Sequence, residues 1–141
     1  LVELITKLHN ESTIQVGTHS INAEMGLPQG SVLSPVLFNV YLEEALKTSR
    51  KLEEVRSRGD LLAFADDMLV MSNSKPEIEQ IVSELANLQI EWNLRLNKKK
   101  SEILTAEDLD DIGGVKCTKT VKYLGVKVTM DKKEQKVIAR E

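Results

Sequence analysis

Two adjacent aspartates, Asp66 and Asp67, are the residues of this sequence that are best suited to chemistry. They lie inside an apolar run, residues 61–71, whose other side chains are typical of β-strands. Ionised carboxylates are costly to bury unless they are paired or bind a cation, and carboxylate oxygens are ligands that Mg²⁺ accepts. The pair therefore indicates a divalent metal site. An Asp-rich tight turn between two strands explains the pair equally well when it is considered alone.

A second pattern lies about 30 residues upstream, in the stretch GLPQGSVLSP at positions 26–35. Its two glycines and first proline fix a tight loop with few side chains, so that a flat ligand can approach the backbone. Gln29 carries an amide that can both donate and accept hydrogen bonds at the edge of a base pair. For a bare Gly-x-Pro-x-Gly pattern, a structural loop that ends in a helix cap is the simpler explanation. The loop becomes informative because it precedes the aspartate pair.

The elements that must position these residues follow from the spacing of apolar side chains and from turn residues. Residues 61–65 and 68–72 are predicted to form two strands around the aspartates, and the upstream loop to lead into a helix that Ser31 or Ser34 caps. In chain order, the predicted elements are a helix at 1–8, a hairpin at 12–16 and 21–25, a helix at 32–46 with a polar extension through 58, the strands at 61–65 and 68–72, a helix at 76–92, an extended segment at 94–105, a loop at 107–114 and a strand at 120–129.

Composition places the 141-residue chain among single folded domains, with 41% hydrophobic and 29% charged residues. No apolar run is long enough to span a bilayer, so we expect no membrane partner. The single Cys117 cannot form an internal disulfide, which is compatible with a reducing intracellular compartment or organelle. Residues 1–92 hold 7 Lys/Arg and 14 Asp/Glu, whereas residues 93–141 hold 12 Lys/Arg and 8 Asp/Glu. An acidic metal-binding half beside a basic phosphate-facing half fits these counts, although ordinary solvated faces explain them more simply.

Together, the loop at 26–35 and the sequence Phe64-Ala65-Asp66-Asp67 resemble the palm of reverse transcriptases, most closely the branch of non-LTR retrotransposons and group II intron-type enzymes. The segments around Lys100 and Tyr123 resemble the next two motifs of that family, in the same order. The resemblance implies an α+β fold with a mainly antiparallel palm sheet and helices packed on one face. Residues 1–129 would form a partial palm domain, and residues 130–141 a polar tail or the start of a linker to a thumb.

The resemblance also assigns roles to individual residues. In the family, the aspartates bind Mg²⁺ or Mn²⁺, with Asp66 the better candidate for direct coordination and Asp67 for support. Lys100 is preferred over its two neighbouring lysines because Ser101 follows it, and it would lie near the pyrophosphate leaving group. The residues expected to contact template or incoming nucleotide are Pro28, Gln29, Gly30, Ser31 and Phe64. Those expected to grip the primer are Tyr123, Leu124 and Gly125.

Part of the site that the family uses is expected to be missing from this sequence. A further Asp on an earlier strand binds both metals in the family, but residues 1–25 contain no Asp, and Glu3, Glu11 and Glu24 fall on elements that do not fit the role. We therefore expect a fragment of an RNA-directed DNA polymerase, inactive in isolation, whose parent binds an RNA template, a DNA primer and a deoxynucleoside triphosphate. The alternatives are a remnant that serves as a structural or RNA-binding subunit of a larger assembly, and one half of a split enzyme. A complementing polypeptide or a ribonucleoprotein would then be the partner.

Overall fold

A computed structural model describes residues 13–22, 26–27 and 30–130. The chain divides into two compact units, residues 1–43 and 44–141. Within the described residues the elements are β1 (Thr13–Val16), β2 (His19–Asn22), α1 (Ser34–Thr48), α2 (Arg50–Ser57), β3 (Leu61–Phe64), β4 (Asp67–Val70), α3 (Lys75–Trp92), β5 (Glu102–Leu104), β6 (Asp111–Ile112), β7 (Val115–Thr118), β8 (Thr120–Tyr123) and β9 (Val126–Thr129).

The first unit contains the antiparallel hairpin of β1 and β2 and most of α1. The predicted hairpin is confirmed, but its second strand begins at His19, two residues earlier than predicted. The reason is the turn, because Gly17 has a φ of +63° and a two-residue connection is enough to reverse the chain. The predicted helix at residues 1–8 lies outside the described residues, as do residues 23–25 and the tail from 131.

The sequence predicts one helix that continues from residue 32 through residue 58. This continuity is wrong, because the helix is interrupted at Ser49. Ser49 has extended dihedrals (φ −97°, ψ 119°), and its hydroxyl oxygen accepts a hydrogen bond from the Leu52 amide at 3.2 Å. A serine side chain satisfies the amides of a new helix start and so competes with continuation of the preceding helix. Two helices, α1 and α2, therefore replace the single predicted one.

The core of the second unit lies where α2 packs against α3. Leu52 and Val55 on α2 and Ile81 on α3 are its largest fully buried side chains. α2 also contacts β3, and α3 contacts β6. The predicted helix at 76–92 is confirmed, with Pro76 in its first turn and Ser74 at the N-cap. Asn93, in the left-handed region, ends this helix.

The described strands form four short sheets, which pair antiparallel except for β5 with β7. The mixed helix and sheet class and the mainly antiparallel pairing are confirmed, whereas the palm arrangement stays a prediction. Two predicted elements are wrong: the loop at 107–114 contains β6 and its turn to β7, and the strand at 120–129 is the β8–β9 hairpin. The extended segment at 94–105 forms a strand only at Glu102–Leu104. Among the described residues, no helix is both long enough and apolar enough to cross a bilayer.

Candidate functional site

The predicted aspartate pair lies at the tip of the β3–β4 hairpin. Ala65 and Asp66 form the two-residue turn, and Asp67 is the first residue of β4, directly opposite Phe64. The apolar run folds this way because two apolar segments flank a two-residue connection, which is the tightest common link between antiparallel strands. Both carboxylates are exposed, and so is the Phe64 ring, at 65% of its surface. The tip therefore presents two oxygen donors and one aromatic side chain to solvent.

The backbone of this turn adopts a conformation that its residue type disfavours. Ala65 has a φ of +52°, which places a Cβ-bearing residue in the left-handed region. Among the described residues other than glycine, only Asn93 and Leu124 also have a positive φ. Asn93 ends a helix, where this conformation is ordinary. The other two lie at the tips of hairpins that the resemblance singles out.

The donor set at the tip consists of carboxylate oxygens, which suit a hard divalent cation. Mg²⁺ is commonly held by one or two protein carboxylates together with substrate phosphates, and Asp66 and Asp67 fit that limited demand. Within the described residues, no group of three or more His, Cys, Asp or Glu side chains is placed to hold a metal ion.

A second adjacent pair, Asp110 and Asp111, provides an internal comparison. The Oδ1 atom of Asp111 accepts a hydrogen bond from the Gly114 amide at 3.0 Å, which closes the turn between β6 and β7. Asp111 therefore has a local structural role. For the side chains of Asp66 and Asp67, by contrast, no hydrogen bond or ion pair is found within the described part of the chain.

A cluster of charged residues surrounds the base of the hairpin. Glu77, in the first turn of α3, lies 2.7 Å from the Lys51 ammonium and 3.1 Å from the Arg58 guanidinium, and it accepts a hydrogen bond from the Ser72 hydroxyl. Hydrogen bonds from these donors lower the pKa of Glu77 to about 2, and the bond from Lys51 has the largest effect. Arg58 also donates to Asp60 at 2.9 Å. Sequence reasoning missed this cluster because its members are separated by up to 26 positions and share no periodic pattern.

The three consecutive lysines near the predicted leaving-group position have different surroundings. Lys98 donates to the carbonyl oxygen of Gly113 at 2.7 Å, and this bond ties its turn to the β6–β7 turn. The turn itself is closed by Asn97, whose carbonyl oxygen accepts from the Ser101 amide at 2.9 Å and from the Ser101 hydroxyl at 3.0 Å. Lys100 is exposed, and its amide donates to the same carbonyl at 3.0 Å. Lys98 is therefore engaged, which leaves Lys99 and Lys100 as the candidates for binding phosphate.

The predicted primer-contacting residues lie on the β8–β9 hairpin. Tyr123 ends β8 opposite Val126, and Leu124 and Gly125 form the turn with φ values of +47° and +87°. Two positive values are the signature of a type I′ turn, the connection that matches strand twist. β8 lies beside β5, the strand that follows the lysine turn. Lys122 and Lys127 are register partners across this hairpin.

The upstream loop is described only in part. Gly26 and Gly30 have φ values of +94° and +86°, which require glycine, and Pro28 and Gln29 lie outside the described residues. The hydroxyl oxygen of Ser31 accepts a hydrogen bond from the Leu33 amide at 3.3 Å just before α1 begins. This bond lies in the turn before the helix, so the predicted capping of α1 by Ser31 or Ser34 stays a prediction.

Comparison with known proteins gives one family. The family model described as "Reverse transcriptase (RNA-dependent DNA polymerase)" matches residues 3–128. This range includes every residue that the sequence analysis singled out as a candidate site residue. No solved structure gives a significant match.

Three curated relatives from mobile elements match the chain. A Pol polyprotein of the type-1 retrotransposable element R2 from Popillia japonica is 31% identical over 124 residues, 82% of this chain and 17% of the relative. The RNA-directed DNA polymerase from mobile element jockey of Drosophila melanogaster is 30% identical over 123 residues, 77% of this chain and 13% of the relative. A Pol polyprotein of element R1 2 from Nasonia vitripennis is 27% identical and covers 74% of this chain and 29% of the relative. The chain thus spans less than a third of each relative.

Proposed function

Because the chain belongs to the reverse transcriptase (RNA-dependent DNA polymerase) family, we propose that it is part of a polymerase palm that supports nucleotide addition to a primer 3′ end. The observation that carries this proposal is the Asp66-Asp67 pair at the tip of the β3–β4 hairpin, within the matched residues. In the proposed arrangement the carboxylates face the reacting phosphate, and the helices pack on the opposite face of the sheet.

We assign the carboxylates to metal binding, with Asp66 as the direct ligand and Asp67 in a supporting position. A bound Mg²⁺ or Mn²⁺ would supply charge neutralisation at the attacking and leaving oxygens of an in-line displacement. The contribution of the chain is the fixed turn, which holds two oxygens at one exposed point. The unfavourable φ of Ala65 supports the assignment, since backbone strain concentrates at functional sites.

The remaining residues position the substrates in this proposal. Lys100 would place a positive charge near the pyrophosphate, a role supported by the engagement of Lys98 elsewhere. Pro28, Gln29, Gly30, Ser31 and Phe64 would contact the template and the incoming nucleotide, and Tyr123, Leu124 and Gly125 the primer. The partners are therefore an RNA template, a DNA primer and a deoxynucleoside triphosphate.

A chimeric enzyme tests this function. Residues 3–128 would replace the matched segment of the jockey RNA-directed DNA polymerase, and primer extension on an RNA template would be measured with Mg²⁺. We expect the chimera to extend the primer. Extension should be lost with Asp66→Asn and Asp67→Asn together, and should change little with Asp110→Asn and Asp111→Asn. The purified 141-residue chain should give no extension product.

Two outcomes would contradict the proposal. Extension that persists in the Asp66→Asn and Asp67→Asn chimera would remove the aspartates from the chemistry. A chimera that folds and binds primer–template but does not extend the primer would favour the alternative of a structural or RNA-binding subunit.

A further inference from the structure

Among the described strands, β3 and β4 pair only with each other. They form a separate two-stranded sheet, and such hairpins are marginally stable when they stand alone. Leu62 and Phe64 are 50% and 65% exposed, so one face of β3 is not packed. Leu61 is the buried residue of this strand and lies at its base. The position of the tip must therefore depend on what holds the base.

The two ends of the hairpin meet and are tied to α2. The Met71 amide, just after β4, donates to the carbonyl oxygen of Asp60, just before β3, at 2.8 Å. The Asp60 amide donates in turn to the carbonyl oxygen of Val55 on α2 at 3.1 Å. Residues 60 and 71 thus form the base of the hairpin, and any group that holds both flanks controls its direction.

Glu77 is the side chain that reaches both flanks. One of its oxygens accepts from both terminal nitrogens of Arg58 at 3.1 Å, and Arg58 donates its Nε to Asp60 at 2.9 Å. The other oxygen accepts from the Ser72 hydroxyl on the opposite flank. Lys51 on α2 is the second cation that contacts Glu77, at 2.7 Å. The carboxylate therefore joins α2, α3 and both ends of the hairpin.

The burial of these groups distinguishes the cluster from ordinary surface ion pairs. Isolated exposed pairs contribute little, whereas networks with fixed geometry contribute more. The side chains of Glu77 and Lys51 are only 17% and 15% exposed. On the same helix, Glu79 is 53% exposed and lies 3.9 Å from Lys75, which is the geometry of an ordinary solvent-exposed pair.

We propose that Glu77 is a positioning residue, which orients the Asp66-Asp67 tip by holding both flanks of the β3–β4 hairpin through Arg58 and Ser72. The inference deepens the proposed function and rests on it, because it concerns the delivery of the two carboxylates to the metal. Arg58 is the bridging partner, and its planar fork of donors allows simultaneous contact with Glu77 and Asp60. A lysine at this position would keep the charge and lose the bridge.

Amide hydrogen exchange and Mn²⁺-induced broadening of amide NMR signals, measured on the full 141-residue chain, test the proposal. Glu77→Gln is expected to speed exchange of the Met71 amide on the order of tenfold, with residues 102–118 unchanged. It should also raise severalfold the Mn²⁺ concentration that broadens the signals of residues 65–67. Arg58→Lys is expected to act in the same direction, whereas Glu79→Gln should match the unmodified chain.

The possible negative results distinguish a failure of the role of Glu77 from a failure of the metal site. Unchanged exchange at Met71 and unchanged Mn²⁺ response in Glu77→Gln would overturn the role of Glu77. Equal acceleration of amide exchange at residues 102–118 would also overturn it, because the cluster would then contribute only general stability. An Arg58→Lys variant that behaves as the unmodified chain would overturn it as well, because the positive charge alone would then be sufficient. The absence of broadening at residues 65–67 in the unmodified chain would instead overturn the metal site and with it the proposed function.

Discussion

Replacing Gly113 by alanine is expected to destabilise the chain more than the same replacement at the adjacent Gly114. Both glycines lie in the turn between β6 and β7, with φ values of +61° and +78°. Alanine at such a φ destabilises the folded state by about 1–2 kcal/mol. Alanine also reduces the conformational entropy of the unfolded chain relative to glycine, which offsets about 0.4–1 kcal/mol of this cost. This contribution is shared by the two variants, so it cancels when they are compared.

The difference between the two sites is the neighbouring atom. A Cβ at Gly113 would lie 2.8 Å from Cγ1 of Val82 on α3, a distance that real Cβ atoms do not adopt. A Cβ at Gly114 would meet its nearest neighbour, Cδ of Lys98, at 3.6 Å, an ordinary contact. Overpacking of a closely packed site costs about 1–3 kcal/mol. We therefore expect Gly113→Ala to lower the free energy of unfolding by about 1–3 kcal/mol more than Gly114→Ala does.

Urea unfolding followed by the fluorescence of Trp92, the one tryptophan of the chain, measures this difference. In a Val82→Ala background the clash is removed, and the extra penalty of Gly113→Ala should disappear. Equal destabilisation by the two glycine substitutions would refute the packing of the β6–β7 turn on α3. So would an extra penalty that persists without the Val82 side chain.

Three further predictions concern the elements that hold the site. Ser49→Ala should lower the free energy of unfolding by about 1 kcal/mol, because the Leu52 amide loses its cap, and thermal unfolding that shows no change would contradict this. Ala65→Gly should leave stability unchanged or raise it by up to about 1 kcal/mol in urea unfolding, since glycine removes the cost of the positive φ, and a clear loss would contradict the turn geometry. The pKa of Glu77, lowered from 4.5 to about 2 chiefly by Lys51, implies that its contribution to stability is complete above pH 4.5 and is lost as the pH falls towards 2. Glu77→Gln should flatten the dependence of unfolding free energy on pH in that window, and an unchanged slope would refute the assignment.

The strongest local patterns predicted the elements nearest the proposed site. The β3–β4 strands and α3 were predicted within about two residues, because apolar spacing and the Ser74-Lys75-Pro76 start signal are encoded locally. The sequence does not predict a helix start at Ser49, because no glycine or proline near that position marks a break in the predicted helix. A serine within a helical pattern can either continue the helix or cap a new one. Local propensity could not decide between these outcomes.

The elements that sequence reasoning missed depend on contacts between distant residues. The parallel pairing of β5 with β7 joins two segments that are separated in sequence, and the close approach of Gly113 to Val82 joins a turn to α3. No local pattern encodes either contact. The same holds for Glu77, whose partners lie on another helix and at both ends of a hairpin. The identity of the candidate site residues was readable from motifs, whereas the groups that support them required the tertiary structure.

The central claim is that Asp66 and Asp67 hold a divalent metal, and Mn²⁺-induced broadening of amide signals in the unmodified chain tests it most directly. We predict that broadening at low Mn²⁺ concentration is confined to residues 65–67, is abolished by Asp66→Asn with Asp67→Asn, and is retained with Asp110→Asn and Asp111→Asn. The second pair is a matched control, since it is also an adjacent aspartate pair but Asp111 is engaged with the Gly114 amide. Broadening centred on residues 107–111, or unaltered by the loss of Asp66 and Asp67, would contradict the claim.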